Sequence, residues 1–235
     1  MNFFFKHLLR SLFFVTILIF MTWGCKKDNP LRTIDNADVV AIIETSLQET
    51  ASGITEQIKD LAAFAVKTAK NCDSGDTTLS GTNSGIIAST WELAVNFTTT
   101  CNNLNLPTQF SSTLTGKSNA TTTKIATNAN CNGAIDFKGF ALNEDMLANG
   151  NLTRNGTETI KIGENITGTT DLDLTLTDLK IEKANYTIVD GNLSFTLTIT
   201  TPNENNKTFS GSIDITEYGK ATLTIGDQTY EIDLK

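Results

Sequence analysis

Leu193-Ser194-Phe195-Thr196-Leu197-Thr198-Ile199-Thr200 alternates apolar and hydroxylated side chains for eight residues without a break. Successive side chains of a strand point to opposite faces, so this run is a strand with one buried and one wet face. Outward from it the same period recurs. Trp91, Leu93, Val95 and Phe97 alternate with Glu92, Ala94, Asn96 and Thr98. Ile213 with Ile215, Leu223 with Ile225, and Tyr230, Ile232 with Leu234 repeat the scheme. One face buried and one solvated is the mark of antiparallel sheet. The wet face is mostly Thr, which suits an exposed pleat.

Hairpin signals stand at Asn149-Gly150, Asn155-Gly156, Asp190-Gly191, Tyr218-Gly219 and Gly226-Asp227. Two runs slip phase, which is the signature of a β-bulge. Leu172, Leu174 and Leu176 give way to Leu179 and Ile181, and Ile135 and Phe137 give way to Phe140 and Leu142 across Gly139. We expect a β-meander over 85–235 of about eight to ten strands. Residues 71–84, rich in Ser, Gly, Thr and Asn, read as a loop.

N-terminal to that loop the period is helical. Val40, Ile43, Leu47, Ala51, Ile54, Ile58, Leu61 and Ala65 recur at steps of three and four, one stripe of a helix over 36–70. Asp35, with Asp38 three residues later, caps its start. Ser52-Gly53 kinks the pattern or splits it in two. The expected fold is α+β: an amphipathic helix packed on a large, curved antiparallel sheet or partial barrel, in a single domain over 36–235. A helix followed by a long meander resembles, in architecture alone, the half-barrel of lipoprotein carriers.

The first 24 residues read differently. Lys6 and Arg10 precede an apolar run from Ser11 to Thr22. Twelve residues of helix span roughly 18 Å, short of a ~30 Å hydrocarbon core, so 1–24 reads as a signal peptide. Gly24-Cys25 closes the run and resembles the lipobox of bacterial lipoproteins, cut by signal peptidase II before the Cys. Thr22 and Trp23 stand where that family carries a Leu-like and a small residue. The resemblance implies acyl chains, palmitate among them, on Cys25, and two or more chains anchor a protein stably. Residues 25–35 are then the lipidated Cys and a tether. No Asp follows Cys25 directly, and Lys27-Asp28 resembles in part the tags of outer-membrane lipoproteins. The expected location is the outer membrane, on either its periplasmic or its cell-surface face.

The whole chain carries 18 Lys+Arg against 26 Asp+Glu, a net charge of -8. Without Lys6 and Arg10 the basic residues number 16 and the net charge is −10. That balance opposes nucleic-acid binding, which needs a basic patch. The single His, His7, lies in the signal peptide, so the mature chain has no Ser-His-Asp or Cys-His catalysis and no His-ligated metal. No phosphate- or dinucleotide-binding Gly motif occurs. We expect no catalytic residue, no cofactor and no metal. Asp171 and Asp173 share a strand face at about 6.5–7 Å, within an inverting-glycosidase separation, but read as solvated. Asp73, Asp76, Asp190 and Asn192 lie near Gly without forming a Ca²⁺ loop.

Cys72, Cys101 and Cys131 remain, and an export compartment permits one intrachain bond. A short three-strand meander brings Cys101 and Cys131 to one edge, the favoured pair, leaving Cys72 free. Cys72 with Cys101 is the rival. The expected function is a non-enzymatic envelope scaffold or interaction domain bound to the membrane through Cys25, with a protein partner. The alternative is a carrier of an apolar ligand held between sheet and helix.

Overall fold

A computed structural model describes residues 32–141, 144–163 and 165–235, so the expected signal peptide over 1–24 and Cys25 lie outside the described residues. Thr33–Lys235 forms one compact unit. It comprises two helices and a ten-stranded antiparallel sheet, an α+β architecture.

The expected long helix is two. Helix α1 is Asn36–Leu47, a single 3₁₀ turn covers Glu49–Ala51, and α2 is Ile54–Ala69. Asp35 caps α1: its carboxylate accepts from the Ala37 and Asp38 amides at 2.9 and 3.2 Å, and Asp38 accepts from the Asp35 amide at 3.1 Å. This reciprocal box satisfies amides that have no partner inside the helix. The break falls at Ser52-Gly53. Ser52 adopts a left-handed φ of 55°. A Cβ on Gly53 would lie 2.5 Å from the Leu47 carbonyl carbon, so only Gly lets the chain fold back that closely. Gln57 Nε2 donates to the Ser52 carbonyl at 3.0 Å, and the Thr55 hydroxyl donates to that of Leu47. The stripe from Ile43 to Ala65 is buried.

The strands are β1 (Ser74–Ser84), β2 (Ala88–Cys101), β3 (Pro107–Thr121), β4 (Ile125–Lys138), β5 (Met146–Ile160), β6 (Ile166–Glu182), β7 (Thr187–Thr201), β8 (Glu204–Glu217), β9 (Lys220–Ile225) and β10 (Gln228–Asp233). Each pairs with its sequence neighbours, in the order β1 to β10. The sheet therefore starts at Ser74, and the expected loop over 71–84 is mostly strand. Its Gly, Ser and Asn have poor β propensity, but an edge strand follows its neighbour, and β1 stays in register with β2 from Ser74↔Thr98 to Ser84↔Ala88. Gly81 faces Trp91, whose indole nitrogen sits 2.3 Å from where a Cβ would stand. The missing side chain is what lets the ring lie across the edge strand.

Three of the five hairpin signals lie inside strands: Asn149-Gly150 and Asn155-Gly156 in β5, and Asp190-Gly191 in β7. Tyr218-Gly219 and Gly226-Asp227 do turn the chain. The bulge in β6 is present, with a register shift between Thr177 and Lys180 and Asp178 at φ 48°. The slip at Gly139 is instead the end of β4, with Gly139 at φ 81° in the connection to β5.

A flat sheet of ten strands would be about 43 Å wide. Yet Thr50, between the helices, accepts from Asn83 of β1 at 2.9 Å and donates to the carbonyl of Lys235 beyond β10 at 3.0 Å. The sheet curls around the helices and stays open, its two edges bridged by the helical connector. The Glu49 amide adds a bond to the Leu234 carbonyl at 2.8 Å. Helix α1 packs on β4, β5 and β10, and α2 on β3 and β7. The alternating apolar residues face inward, including Trp91, Leu93, Phe110, Phe137, Leu174 and Leu197.

Candidate functional site

The meander divides its turns between two rims. The β1–β2, β3–β4, β5–β6, β7–β8 and β9–β10 turns form one, and the β2–β3, β4–β5, β6–β7 and β8–β9 connections the other. The chain joins the fold at the first rim. There the Ile34 amide donates to Glu204 at 2.9 Å, Lys207 donates to the Ile34 carbonyl, and Asn36 donates to Gln228 at 2.8 Å.

On the second rim a cleft of about 420 Å³ is lined by Asn102, Leu106, Pro107, Thr108, Phe140 and Glu144, among others. Leu104 and Leu106 are 78% and 55% exposed. Their loop is fixed: the Asn102 carboxamide accepts from the Leu104 and Leu106 amides at 2.9 and 3.0 Å. A disulfide joins Cys101, at the start of that loop, to Cys72, just beyond α2, with the Cα atoms 5.8 Å apart. This corrects the favoured pairing of Cys101 with Cys131. Strands β3 and β4 are longer than expected, so Cys131 sits mid-strand opposite Gly116. It is seven residues from Lys138, which lies level with Thr100 through Gln109, a separation of roughly 23 Å along the strand. Cys131 is the free thiol of the described residues and is buried. Burial pushes its pKa up to about 11, partly offset by the positive charge of Arg154. A thiolate nucleophile needs the opposite environment.

The sequence reading missed a polar cluster inside the core. Arg154 and Glu158 both face inward from β5, 5% and 2% exposed, with Gly156 between them. The two side chains meet at 2.9 Å, and a Cβ on Gly156 would lie 2.4 Å from the Asn128 carbonyl oxygen, so Gly there lets β4 approach closely. Arg154 also donates to Ser46 of α1 at 2.9 Å and to Thr127 of β4, and Thr127 donates to Glu158 at 2.9 Å. Glu158 Oε2 has no hydrogen-bond partner. Burial raises the Glu158 pKa above 4.5, against the lowering effects of Arg154, Thr127 and Thr170. The signal was present in Arg154-Asn155-Gly156-Thr157-Glu158 once Asn155-Gly156 is read as strand rather than turn. The cluster ties α1 to the sheet; every group in it is walled by core side chains.

Asp171 and Asp173 lie on the exposed face of β6. Each accepts from a neutral neighbour on β5, Asp171 from Asn155 at 2.6 Å and Asp173 from Thr153 at 2.8 Å. Asp73 and Asp76 sit at β1, and Asp190 and Asn192 in β7. Among the described residues no three His, Cys, Asp or Glu side chains gather in a metal-binding group. No helix of the described residues is long and apolar enough to cross a membrane.

No protein-family model matches the chain, and neither a curated protein nor a solved structure does.

Proposed function

We propose that the chain is an acylated outer-membrane lipoprotein, held through Cys25, whose folded part is a non-enzymatic scaffold or interaction domain. The observation that carries it is the placement of Cys25 directly after a charged start and a short apolar run. The geometry supports an interaction role. The polypeptide joins the fold at one rim, and Leu104 and Leu106 stand exposed on a braced loop at the other. The apolar loop thus stands on the rim opposite the point of attachment, open to a protein partner.

A carrier of an apolar ligand needs a void of ~300–1,000 Å³ between helices and sheet. A void of that size leaves its walls accessible to water-sized spheres. Val39, Ile43, Leu61, Phe110 and Leu197 are at 0%, which favours the scaffold reading.

Globomycin treatment is expected to accumulate the precursor, and Cys25→Ala to abolish incorporation of radiolabelled palmitate. Unchanged processing under globomycin together with an unlabelled wild-type chain would overturn the reading.

A further inference from the structure

Ile86 is the most exposed large apolar side chain among the described residues, at 100%. It stands at the tip of the β1–β2 turn, in Ser84-Gly85-Ile86-Ile87-Ala88. The turn is braced. Asn83 accepts from the Gly85 amide and donates to the Thr50 carbonyl of the helical connector, both at 2.9 Å. A single exposed apolar side chain is ordinary on a protein surface, so Ile86 carries meaning only through where its turn lies.

The tip belongs to the same rim as the bonds of Glu204 and Lys207 to Ile34, but at the other end of α1: it shares a cleft with Glu44, Gln48 and Lys124, and the helix between is about 18 Å long. Seven residues lie between Cys25 and Thr33, eight Cα steps with a reach of at most about 28 Å. We propose that the β1–β2 tip is a second membrane contact: Ile86 enters the interfacial layer of the bilayer to which Cys25 is acylated and sets the orientation of the domain. The proposal rests on that acylation.

A single Ile would hold a free protein poorly. A tethered domain is different, because the second contact is intramolecular and gains a high effective concentration. Electrostatics is not the driving force. Lys124, on the same rim, is paired with Glu44 at 2.7 Å, and Lys161 donates to the Thr122 carbonyl at 3.0 Å. The contact is accordingly insensitive to salt. It also requires the apolar loop at Leu104 and Leu106 to point outward.

The test uses the full acylated chain in vesicles of phosphatidylethanolamine and phosphatidylglycerol, with and without brominated acyl chains. Ile86→Trp reports depth by tryptophan emission, and Thr196→Trp on the exposed face of β7 is the control. Trp91 is buried and supplies a constant background to subtract. Circular dichroism checks that both variants fold. The expected result is a blue-shifted Ile86→Trp emission quenched by brominated lipid in low and high salt alike, with Thr196→Trp unquenched. An unquenched, water-like Ile86→Trp on chain that still floats with the vesicles overturns the tip contact and leaves the anchor intact. A blue shift without quenching overturns it in favour of a protein neighbour. Wild-type chain that fails to float overturns the anchor itself, and the orientation argument with it.

Discussion

Arg154 and Glu158 form a buried ion pair whose energetics are asymmetric. Taking one partner away leaves a charge without compensation, at about 3–5 kcal/mol, whereas replacing both with apolar residues of similar size is often neutral or stabilising. Arg154→Met is therefore expected to lower the urea midpoint severely, and Arg154→Met with Glu158→Leu to recover most of the loss. A double variant as unstable as the single one would show that the network does more than neutralise itself. The pair also sets a pH dependence. Because burial raises the folded-state pKa of Glu158, the folded chain binds more proton than the unfolded one above pH 4.5. Its contribution to stability is complete below that value and is lost as pH rises through the folded value. The urea midpoint of wild type relative to Glu158→Gln should fall over that window; a flat difference would contradict the assignment. None of this was legible from the isolated residues, since a charge in a strand usually marks the wet face. The phase of Leu152, Arg154, Glu158 and Ile160 is what places it inside.

Among the elements, the runs with strong contrast were read most directly. The Leu193–Thr200 alternation and the stripe from Ile43 to Ala65 carry burial in their spacing, and both take the faces they imply. Where contrast was weak, the reading failed. Strand β1 has one large apolar residue, Leu79, and is held by pairing with β2, a tertiary effect invisible along the chain. Strand length failed for a related reason: a Gly within a strand looks like a turn in sequence. At Gly150, inside β5, a Cβ would lie 2.1 Å from the Ala134 carbonyl oxygen and 3.0 Å from the Ile135 Cα, so Gly there serves close approach rather than turning. The mistaken lengths carried through to the cysteines. The Cys72–Cys101 bond closes 29 residues and links the end of α2 to the sheet. Such a loop is worth about 2–4 kcal/mol. Cys72→Ser with Cys101→Ser should lower the thermal midpoint, whereas Cys131→Ala should leave the disulfide in place. Thiol counting on denatured, unreduced chain should find Cys131 alone among Cys72, Cys101 and Cys131; equal reactivity of Cys72 would remove the bond.

For the whole molecule, the class and the curvature were legible, and the bridging of the two sheet edges by the helical connector was not. An N-terminal helical stripe followed by amphipathic strands dictates helices packed on one face of a sheet. That the sheet curls until the segment after β10 meets the helical connector depends on inward-facing small residues and on the break at Ser52-Gly53. A filled interface leaves the rims as the surfaces that differ from one another, one receiving the polypeptide and presenting Ile86, the other presenting Leu104 and Leu106. The outer face between them is laced by neutral cross-strand bonds such as Thr159–Thr167 at 3.1 Å and Thr175–Asn151 at 3.0 Å, and offers no distinctive grip.

The connector that receives both edges of the sheet also bears on how the chain is made. The helices are synthesised first, but their apolar sides are covered by strands drawn from across the sheet, and the carbonyls of Leu234 and Lys235 are among the last groups to arrive. Each hairpin can form locally as it emerges, while part of the helical surface stays wet until the final residues are made. Chain elongation therefore sets the lifetime of the sticky intermediate, and a truncation near the C-terminus would prolong it rather than merely trim an edge.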